Sequence, residues 1–340
     1  MDIQAALAQL AEGHDLTQAE TRDVFAQVMS GQATTAQIGG LLMAMRVKGE
    51  TPQEIAGAAE TMRALSTKVD VAEDYLVDTC GTGGSGAKLF NISTAAAFVA
   101  AAAGAKVAKH GNRKMTSHSG SADVLEAAGV NLSLTPDQIA HCIREVGVGF
   151  IFAQAHHSAM RFAAPVRQEL QVRTMMNVLG PLTNPAGAKR QVIGVFSREW
   201  QQTLAQVSGL LGAAHVLVVH SNGLDEIALD APSHVVELRD GSITEYEIEP
   251  ADFGITQRSC EDLTSDSPEA SLQLVSESLT QPDSAAADIV SLNAGAAIYA
   301  AGVATSLANG VIMAQDAIAA GLANERLQEL VRISRLMAES

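Results

Sequence analysis

The chain has 340 residues, 47% of them hydrophobic and 18% charged, which allows a sizeable core and excludes a disordered chain. Its 38 acids against 22 Lys and Arg give a formal charge of −16, which argues against general nucleic-acid binding, because phosphate affinity rests on cationic side chains. Cys80, Cys142 and Cys260 are odd in number and widely spaced, so they make neither a disulfide framework nor a zinc pattern and fit a reducing cytosol.

Residues 1–65 read as helices. Met1-Asp2-Ile3-Gln4 lacks the basic and apolar regions of a signal peptide. Ala5, Leu7, Ala8, Leu10 and Ala11 open the pattern, and Thr17 with Glu20 forms a capping box before Val24, Phe25, Val28 and Met29. Thr34 and Thr35 start a run through Ile38, Leu41, Leu42 and Met45. Thr51-Pro52-Gln53-Glu54 is a further start, with Pro at the first helical position. The polar residues 67–74 read as a crossing into a second domain.

From Tyr75 strands alternate with helices. Leu76 and Val77 lead into a glycine loop. Ser93 or Thr94 is expected to cap an alanine-rich helix that Gly104 ends. A strand at 106–109 precedes a helix opening at 121–123 and closed by Gly129. Thr135-Pro136-Asp137-Gln138 caps the next helix, through Val146. A buried strand at 149–153 is followed by helical segments at 158–162 and 165–176. Strands at 191–196 and 216–220 flank a helix ending near Leu211-Gly212. Residues 235–246 form a hairpin turning at Asp240-Gly241, and residues 285–337 are helical. The uncharged stretch 289–315 reads as two buried Ala/Gly-rich helices rather than a membrane span, with Asn309-Gly310 as a turn or cap signal. The fold class is therefore α/β: a small N-terminal all-helical domain over 1–70 and a large α/β domain over 71–340 with a mostly parallel central sheet.

Parallel sheets bind ligands beyond the carboxyl ends of their strands. Three polar motifs follow predicted strands at that edge: Gly81-Thr-Gly-Gly-Ser-Gly86, then Lys109-His110-Gly111-Asn112-Arg113, then Asp225-Glu226. Residues 79–122 hold no Asp or Glu at all but include Lys88, Lys106, Lys109, Arg113 and Lys114. An acid-free, glycine-rich, basic segment suits a highly charged anion such as a phosphate-bearing substrate. The glycine loop matches neither the P-loop nor a clean dinucleotide fingerprint. Asn91, Ser93 and Thr94 read either as helix caps or as phosphate donors, with Ser93 also a metal ligand. Asp225 and Glu226 read as surface acids or as hard ligands for Mg²⁺. Arg167 and Arg173 read as surface cations or carboxylate clamps. His110 reads as acid, base or plain donor. His156-His157 lacks a third ligand at metal spacing and reads as a helix start.

Taken together these motifs resemble the anthranilate phosphoribosyltransferase family along nearly the whole chain. The likeness runs through Cys80-Gly-Thr-Gly-Gly84, Phe90-Asn-Ile-Ser-Thr94, Val107-Ala-Lys-His-Gly-Asn-Arg113, Ser119-Gly-Ser-Ala-Asp123 and Pro165-Val-Arg-Gln-Glu-Leu170. It continues through Asn177-Val-Leu-Gly-Pro-Leu-Thr-Asn-Pro185, Val218-Val-His-Ser221 and Leu224-Asp-Glu226. The resemblance implies the fold shared with pyrimidine nucleoside phosphorylases, a cytoplasmic homodimer joined through the helical domains, and helices at 165–176 that join the small domain. It implies transfer of phosphoribose from phosphoribosyl pyrophosphate to the amino group of anthranilate, with Mg²⁺. Gly81, Gly84, Ser85, Asn91, Ile92, Ser93, Thr94, Lys109, Gly111, Arg113, Lys114, Met115, Thr116, Ser117 and Ser121 would hold the donor. Ser93, Asp225 and Glu226 would handle the metal. Asn112 and Arg167 would meet anthranilate, with His110 and Pro181 near its ring.

The chain departs from the family pattern on the phosphate side. Ser85 stands where the family loop usually has Asp, Leu89 where Thr is common, and Lys114-Met115-Thr116-Ser117-His118 replaces small residues and a Lys. The expectation is that side-chain charge grips phosphate more and that metal positioning differs. The competing readings are a nucleoside phosphorylase of the same fold, a transferase with a changed acceptor, and a non-catalytic nucleic-acid-binding relative. Gly111-Asn112-Arg113 opposes the first, and the −16 charge opposes the last.

Overall fold

A computed structural model describes residues 1–84, 86, 88–113 and 119–338. The chain opens with four helices, α1 (Ile3–Ala11), α2 (Gln18–Met29), α3 (Thr35–Lys48) and α4 (Pro52–Leu65). The last three start at full capping boxes on Thr17/Glu20, Thr34/Gln37 and Thr51/Glu54, where hydroxyl and carboxyl or amide satisfy otherwise orphaned backbone N–H groups. Glu54 does more than cap. Its carboxylate is fully buried and also accepts from Leu16 N (3.0 Å) and Lys48 Nζ (3.1 Å), so three segments of the bundle close on one charge. At Gly57 a Cβ would lie 2.3 Å from the Gln18 carbonyl, so the small residue sets the approach of α4 to α2.

The second part continues β1 (Leu76–Gly81), α5 (Ile92–Ala102), β2 (Lys106–Gly111), α6 (Ser121–Ala127), α7 (Pro136–Glu145), β3 (Val148–Phe152) and α8 (Ala153–His156). A 3-10 turn at Ser158–Phe162 leads to α9 (Ala164–Leu170), and 3-10 turns follow at Met175–Asn177 and Pro181–Thr183. Then come β4 (Arg190–Gly194), α10 (Glu199–Leu210), β5 (His215–His220), β6 (Ser233–Arg239), β7 (Ser242–Ile248), α11 (Pro268–Thr280), α12 (Ala285–Ala301), α13 (Leu307–Ala319) and α14 (Leu322–Leu336). The sheet order is β3-β2-β1-β4-β5-β6-β7. The first five of these are parallel, and β6 and β7 extend the sheet antiparallel through the Asp240-Gly241 turn, where φ is 50° and 81° as a primed hairpin turn requires.

Strands β1 to β6 bury both faces, whereas the edge strand β7 is largely exposed, and alternation assigns each side chain. Val192, Leu217 and Val219 join the core under α5 and α12, whereas Ile193, Val216 and Val218 join the core that runs under α10 to the N-terminal helices. From β1 the chain winds one way to β2 and β3 and then returns to β4 on the other side. The sheet's topological switch point thus lies between β1 and β4, with Gly81 registered opposite Gly194 at its carboxyl end.

Several expectations need correction. The alanine-rich helix begins at Ile92, with Asn91 in the cap position making no side-chain cap bond, so Ser93 and Thr94 lie inside the first turn. Asn309-Gly310 is no turn: both lie in the first turns of α13, which Ser306 caps, and the break falls at Gly302 in left-handed geometry (φ 86°). Gly310 is needed for close approach instead, because a Cβ there would lie 2.3 Å from the Gly295 carbonyl of α12. His156 ends a helix rather than starting one. The helix α11 was not anticipated, although Ser267-Pro268-Glu269 is a start signal of the kind used elsewhere. Among the described residues no helix is long and apolar enough to cross a membrane. α9 and its neighbours pack on the N-terminal helices: a Cβ on Gly39 of α3 would touch Val166 at 3.7 Å, and Met175 N donates to Glu50 at 3.0 Å.

Candidate active site

The switch point is built around Asp225. The segment after β5 turns at Ser221–Leu224, where the two residues exchange backbone bonds of 2.7 and 3.2 Å, and this returns the chain over the ends of β1 and β4. A Cβ on Gly194 would sit 1.7 Å from the Asp225 carbonyl, and one on Gly81 would sit 2.7 Å from Asp225 Oδ2. Both positions therefore need the absence of a side chain. Asp225 Oδ2 accepts the Gly83 N–H at 3.0 Å, which ties the glycine loop to the acid pair. A cavity of ≈ 10 Å³, room for one water-sized guest, is lined by Thr79, Gly81, Ser93, Asp225 and Glu226 among others.

The other residues of this pocket come from the same face of β1 and β2. Thr79 Oγ1 donates to the Ser93 carbonyl at 3.0 Å. Lys109 is buried, and its ammonium donates to the Thr79 carbonyl and to Ser93 Oγ (3.4 Å). It thus lies behind the pocket rather than on an open rim. Loss of water and the neighbouring Asp225 push the Glu226 carboxyl up, while Lys109 and hydrogen bonds from Ser93 oppose that shift. Three oxygen-bearing side chains, Ser93, Asp225 and Glu226, thus converge on a cradle that two glycines keep open. That donor set suits a hard cation with oxygen ligands such as Mg²⁺.

The opposite face of β1 and β2 carries a second cluster. Asp78 is fully buried; its Oδ1 accepts the His110 N–H at 3.1 Å, and its Oδ2 has no hydrogen-bond partner among the described residues. Burial pushes its pKa up to about 6 despite Lys109 nearby. Ligand atoms of Asp78, Cys80 and His110 lie within 4.8 Å of one another. Burial pushes the Cys80 thiol up to about 12. Burial and His157, whose ring centroid is 5.2 Å away, bring His110 down to about 3. Of the roles open to His110, a cationic acid at neutral pH is removed. It is a neutral imidazole whose Nε2 has no hydrogen-bond partner among the described residues. The segment around Gly180 and Pro181 packs beside it, fixed by Gln191 Nε2 donating to the Pro181 carbonyl (2.7 Å) and Asn184 Nδ2 to the Ala108 carbonyl (2.8 Å).

The remaining candidates spread outward from this edge. Asn91 accepts from Ser271 Oγ (2.7 Å) and donates to the Ser119 carbonyl (3.3 Å), joining the helix start to α11 and to the loop before α6. Ile92 has its side chain in the core, and its N–H donates to the Phe90 carbonyl (2.7 Å). Thr94 is buried, with an unpartnered hydroxyl. A Cβ on Gly111 would meet Ser121 Oγ at 2.1 Å, so this glycine brings β2 against α6. The Asn112 carbonyl accepts from Ser121 Oγ (3.4 Å), and its Oδ1 accepts the Arg113 N–H (2.8 Å).

Arg113 is not a free phosphate grip. Its guanidinium bonds both Glu126 oxygens (2.7 and 3.0 Å) and Asp123 (3.3 Å) and lies over the Phe152 ring. The guanidinium of Arg167, on α9, makes no ion pair or hydrogen bond with the described residues, and loss of water lowers its pKa. Among the described residues no hydrogen bond or ion pair joins it to the Asp225 cluster. Ser85, Lys114, Met115, Thr116 and Ser117, with the expectations placed on them, lie outside the described residues. Sequence reasoning assigned no role to Asp78, although a lone acid ending an apolar strand just before a glycine loop was a signal. It left Arg173 undecided, and that side chain reaches the glycine loop.

Comparison with known proteins covers the whole of this architecture. Residues 4–66 match the helical bundle domain of the glycosyl transferase family, and residues 73–324 match its a/b domain. The chain is 57% identical to the anthranilate phosphoribosyltransferase of Hahella chejuensis, over 100% of this chain and 99% of that protein. It is 56% identical to that of Saccharophagus degradans, over 99% and 100%. Among solved structures, the anthranilate phosphoribosyltransferase of Thermus thermophilus is 43% identical with a TM-score of 0.93, covering 97% of this chain and 99% of that one. The Saccharomyces cerevisiae enzyme, solved in complex with PRPP and Mg, shares the fold at 23% identity and a TM-score of 0.88, covering 98% of each chain.

Proposed function

Because the chain belongs to the anthranilate phosphoribosyltransferase family, we propose that the edge where β1, β2, β4 and β5 end is where its two substrates meet. The enzyme transfers the phosphoribosyl group of phosphoribosyl pyrophosphate to the amino group of anthranilate, releasing pyrophosphate, a step of tryptophan biosynthesis. The observation that carries the site assignment is the cradle in which Gly81 and Gly194 make way for Asp225 beside Ser93 and Glu226.

Asp225, Glu226 and Ser93 would hold Mg²⁺, which when bound neutralises charge on the departing pyrophosphate. The Gly84 amide, next to the Gly83 amide that Asp225 occupies, offers a donor to the pyrophosphate oxygens. Lys109, held behind Ser93, sets a positive potential under the pocket. Arg167, desolvated and without a partner among the described residues, is suited to pair with the anthranilate carboxylate and aim its amine. Asn112 and Pro181 border that acceptor side, where His110 supplies a neutral hydrogen bond rather than charge. The aryl amine is a neutral nucleophile, so placement and electrostatics supply most of the rate.

The small domain in this reading comprises residues 1–70 with the segment 165–176 packed on it. Its exposed apolar side chains, such as Val47 on α3, suit a face-to-face homodimer. Three free cysteines suit the cytoplasm, and the −16 charge opposes a nucleic-acid partner.

The test is direct. Protein, phosphoribosyl pyrophosphate, Mg²⁺ and anthranilate are mixed and the loss of anthranilate fluorescence is followed. Turnover that disappears on chelation and in Asp225→Asn is the expected result. Full turnover by Asp225→Asn at limiting Mg²⁺ would refute the site assignment.

A further inference from the structure

Arg173 lies in the link between α9 and the 3-10 turn at Met175–Asn177, 89 residues from the glycine loop in sequence. Its Nη2 donates to the Gly84 carbonyl at 2.5 Å, and its guanidinium lies 4.1 Å from the centroid of the Phe196 ring. Phe196 follows β4, and its own N–H donates to Thr82 Oγ1 at 3.3 Å. The residue whose ring Arg173 stacks on is therefore tied to the loop through its backbone N–H. Gly84 has φ 79°, and a Cβ there would lie 3.2 Å from Arg173 Nη2, so the bare backbone lets the guanidinium lie against it. The loop is gripped at two successive residues: Asp225 takes the Gly83 N–H and Arg173 the Gly84 C=O. Two residues beyond Arg173, the Met175 N–H donates to Glu50 Oε1 at 3.0 Å, just past the end of α3, and Glu50 faces Arg46 of α3 at 3.9 Å.

We propose that Arg173 is a positioning residue that latches the glycine loop in its donor-receiving shape and ties that shape to the N-terminal helical domain. The proposal rests on the reading of this loop as the site of phosphoribosyl pyrophosphate. A planar guanidinium can lie flat on the ring and donate in its own plane at once, a geometry that a lysine ammonium reproduces only in part. The latch holds the loop amides in place before the donor arrives, and the link through Met175 and Glu50 ties it to the end of α3.

The experiment has two arms. Hydrogen–deuterium exchange on the free full-length protein compares wild type with Arg173→Ala and with Phe196→Leu, which leaves the arginine but removes its platform. The Gly83 and Gly84 amides should exchange about tenfold faster in Arg173→Ala and less so in Phe196→Leu, with β1 and α9 unchanged. Steady-state kinetics should show the KM for phosphoribosyl pyrophosphate rising about tenfold, while kcat and the KM for anthranilate stay within about twofold. Arg173→Lys should recover only part of the donor KM. Unchanged exchange in the loop would overturn the latch, as would full recovery by lysine, which would mean that charge alone matters. A rise confined to the anthranilate KM would overturn it in favour of an acceptor clamp. Because the exchange arm uses no substrate, faster loop exchange in the variants together with absent turnover in wild type would support the latch and refute the substrate reading.

Discussion

Gly194→Ala probes the switch point most sharply. The added Cβ would sit 1.7 Å from the Asp225 carbonyl, where real Cβ contacts stay beyond 3.0 Å. The strand cannot yield, because Gly194 is registered between Gly81 of β1 and Val219 of β5. The Asp225 backbone must therefore recede by roughly 1.5 Å, carrying its carboxylate away from the Gly83 N–H now 3.0 Å distant. Overpacking strain of about 1–3 kcal/mol and a lost hydrogen bond of about 1 kcal/mol sum to about 2–4 kcal/mol. A domain of this length has an unfolding entropy near 0.7 kcal/mol per kelvin, so Tm should drop by only about 3–6 °C and the enzyme stays folded. Activity should suffer far more, since an ångström of misplacement in a positioned group costs about a hundredfold. Expected in the fluorescence assay is a fall of about a hundredfold in kcat/KM for phosphoribosyl pyrophosphate, partly restored by high Mg²⁺, with the KM for anthranilate nearly unchanged. Wild-type kinetics with an unchanged Tm would refute the reasoning, because the contact would then be absent in solution.

Arg167→Ala should raise the KM for anthranilate about tenfold or more and leave that for the donor within about threefold; equal losses for both substrates would contradict the carboxylate assignment. Asp78→Asn tests the buried carboxyl through pH. Its folded pKa, near 6, lies above the ordinary value of 3.8, so its contribution is fully present below pH 4 and is lost as pH rises through 6. The stability difference between wild type and Asp78→Asn, from urea melts, should therefore fall by up to about 3 kcal/mol between pH 4 and pH 7, and a flat difference would rule the shift out. Gly39→Ala, in the interior of α3, places its methyl 3.7 Å from Val166 in ordinary contact. It should stabilise the protein by about 0.5–1 kcal/mol and raise Tm by about 1 °C with kinetics unchanged.

Much of the frame was legible because it rests on local chemistry. Three Thr-initiated capping boxes start α2, α3 and α4, and the Asp240-Gly241 turn closes the hairpin, each decided by a few adjacent residues. What local signals missed depends on distant partners. Asn309-Gly310 has turn composition, but the small residue serves the contact of α13 with Gly295, fifteen positions earlier on another helix. The basic look of residues 79–122 rested on counting acids inside that window. Asp123 and Glu126 stand just past its end and take up Arg113, while Lys109 turns inward because its strand position faces Ser93. The segment's free positive charge is thus smaller than its composition implies.

That reduction shifts the weight of donor binding. If Arg113 is neutralised and Lys109 is enclosed, the described part of the loop offers mainly oriented backbone amides, and these act only if the loop keeps its shape. The residues that hold the shape then matter as much as those that carry charge. Asp225 holds Gly83 from the β5 side, and Arg173 holds Gly84 from the side of α9. Both lie more than 80 residues from the loop, and both act through backbone atoms whose side-chain space glycine has left empty. A glycine-rich stretch at this edge is therefore less a flexible hinge than a surface cut to receive side chains from elsewhere, and its function depends on which of them arrive.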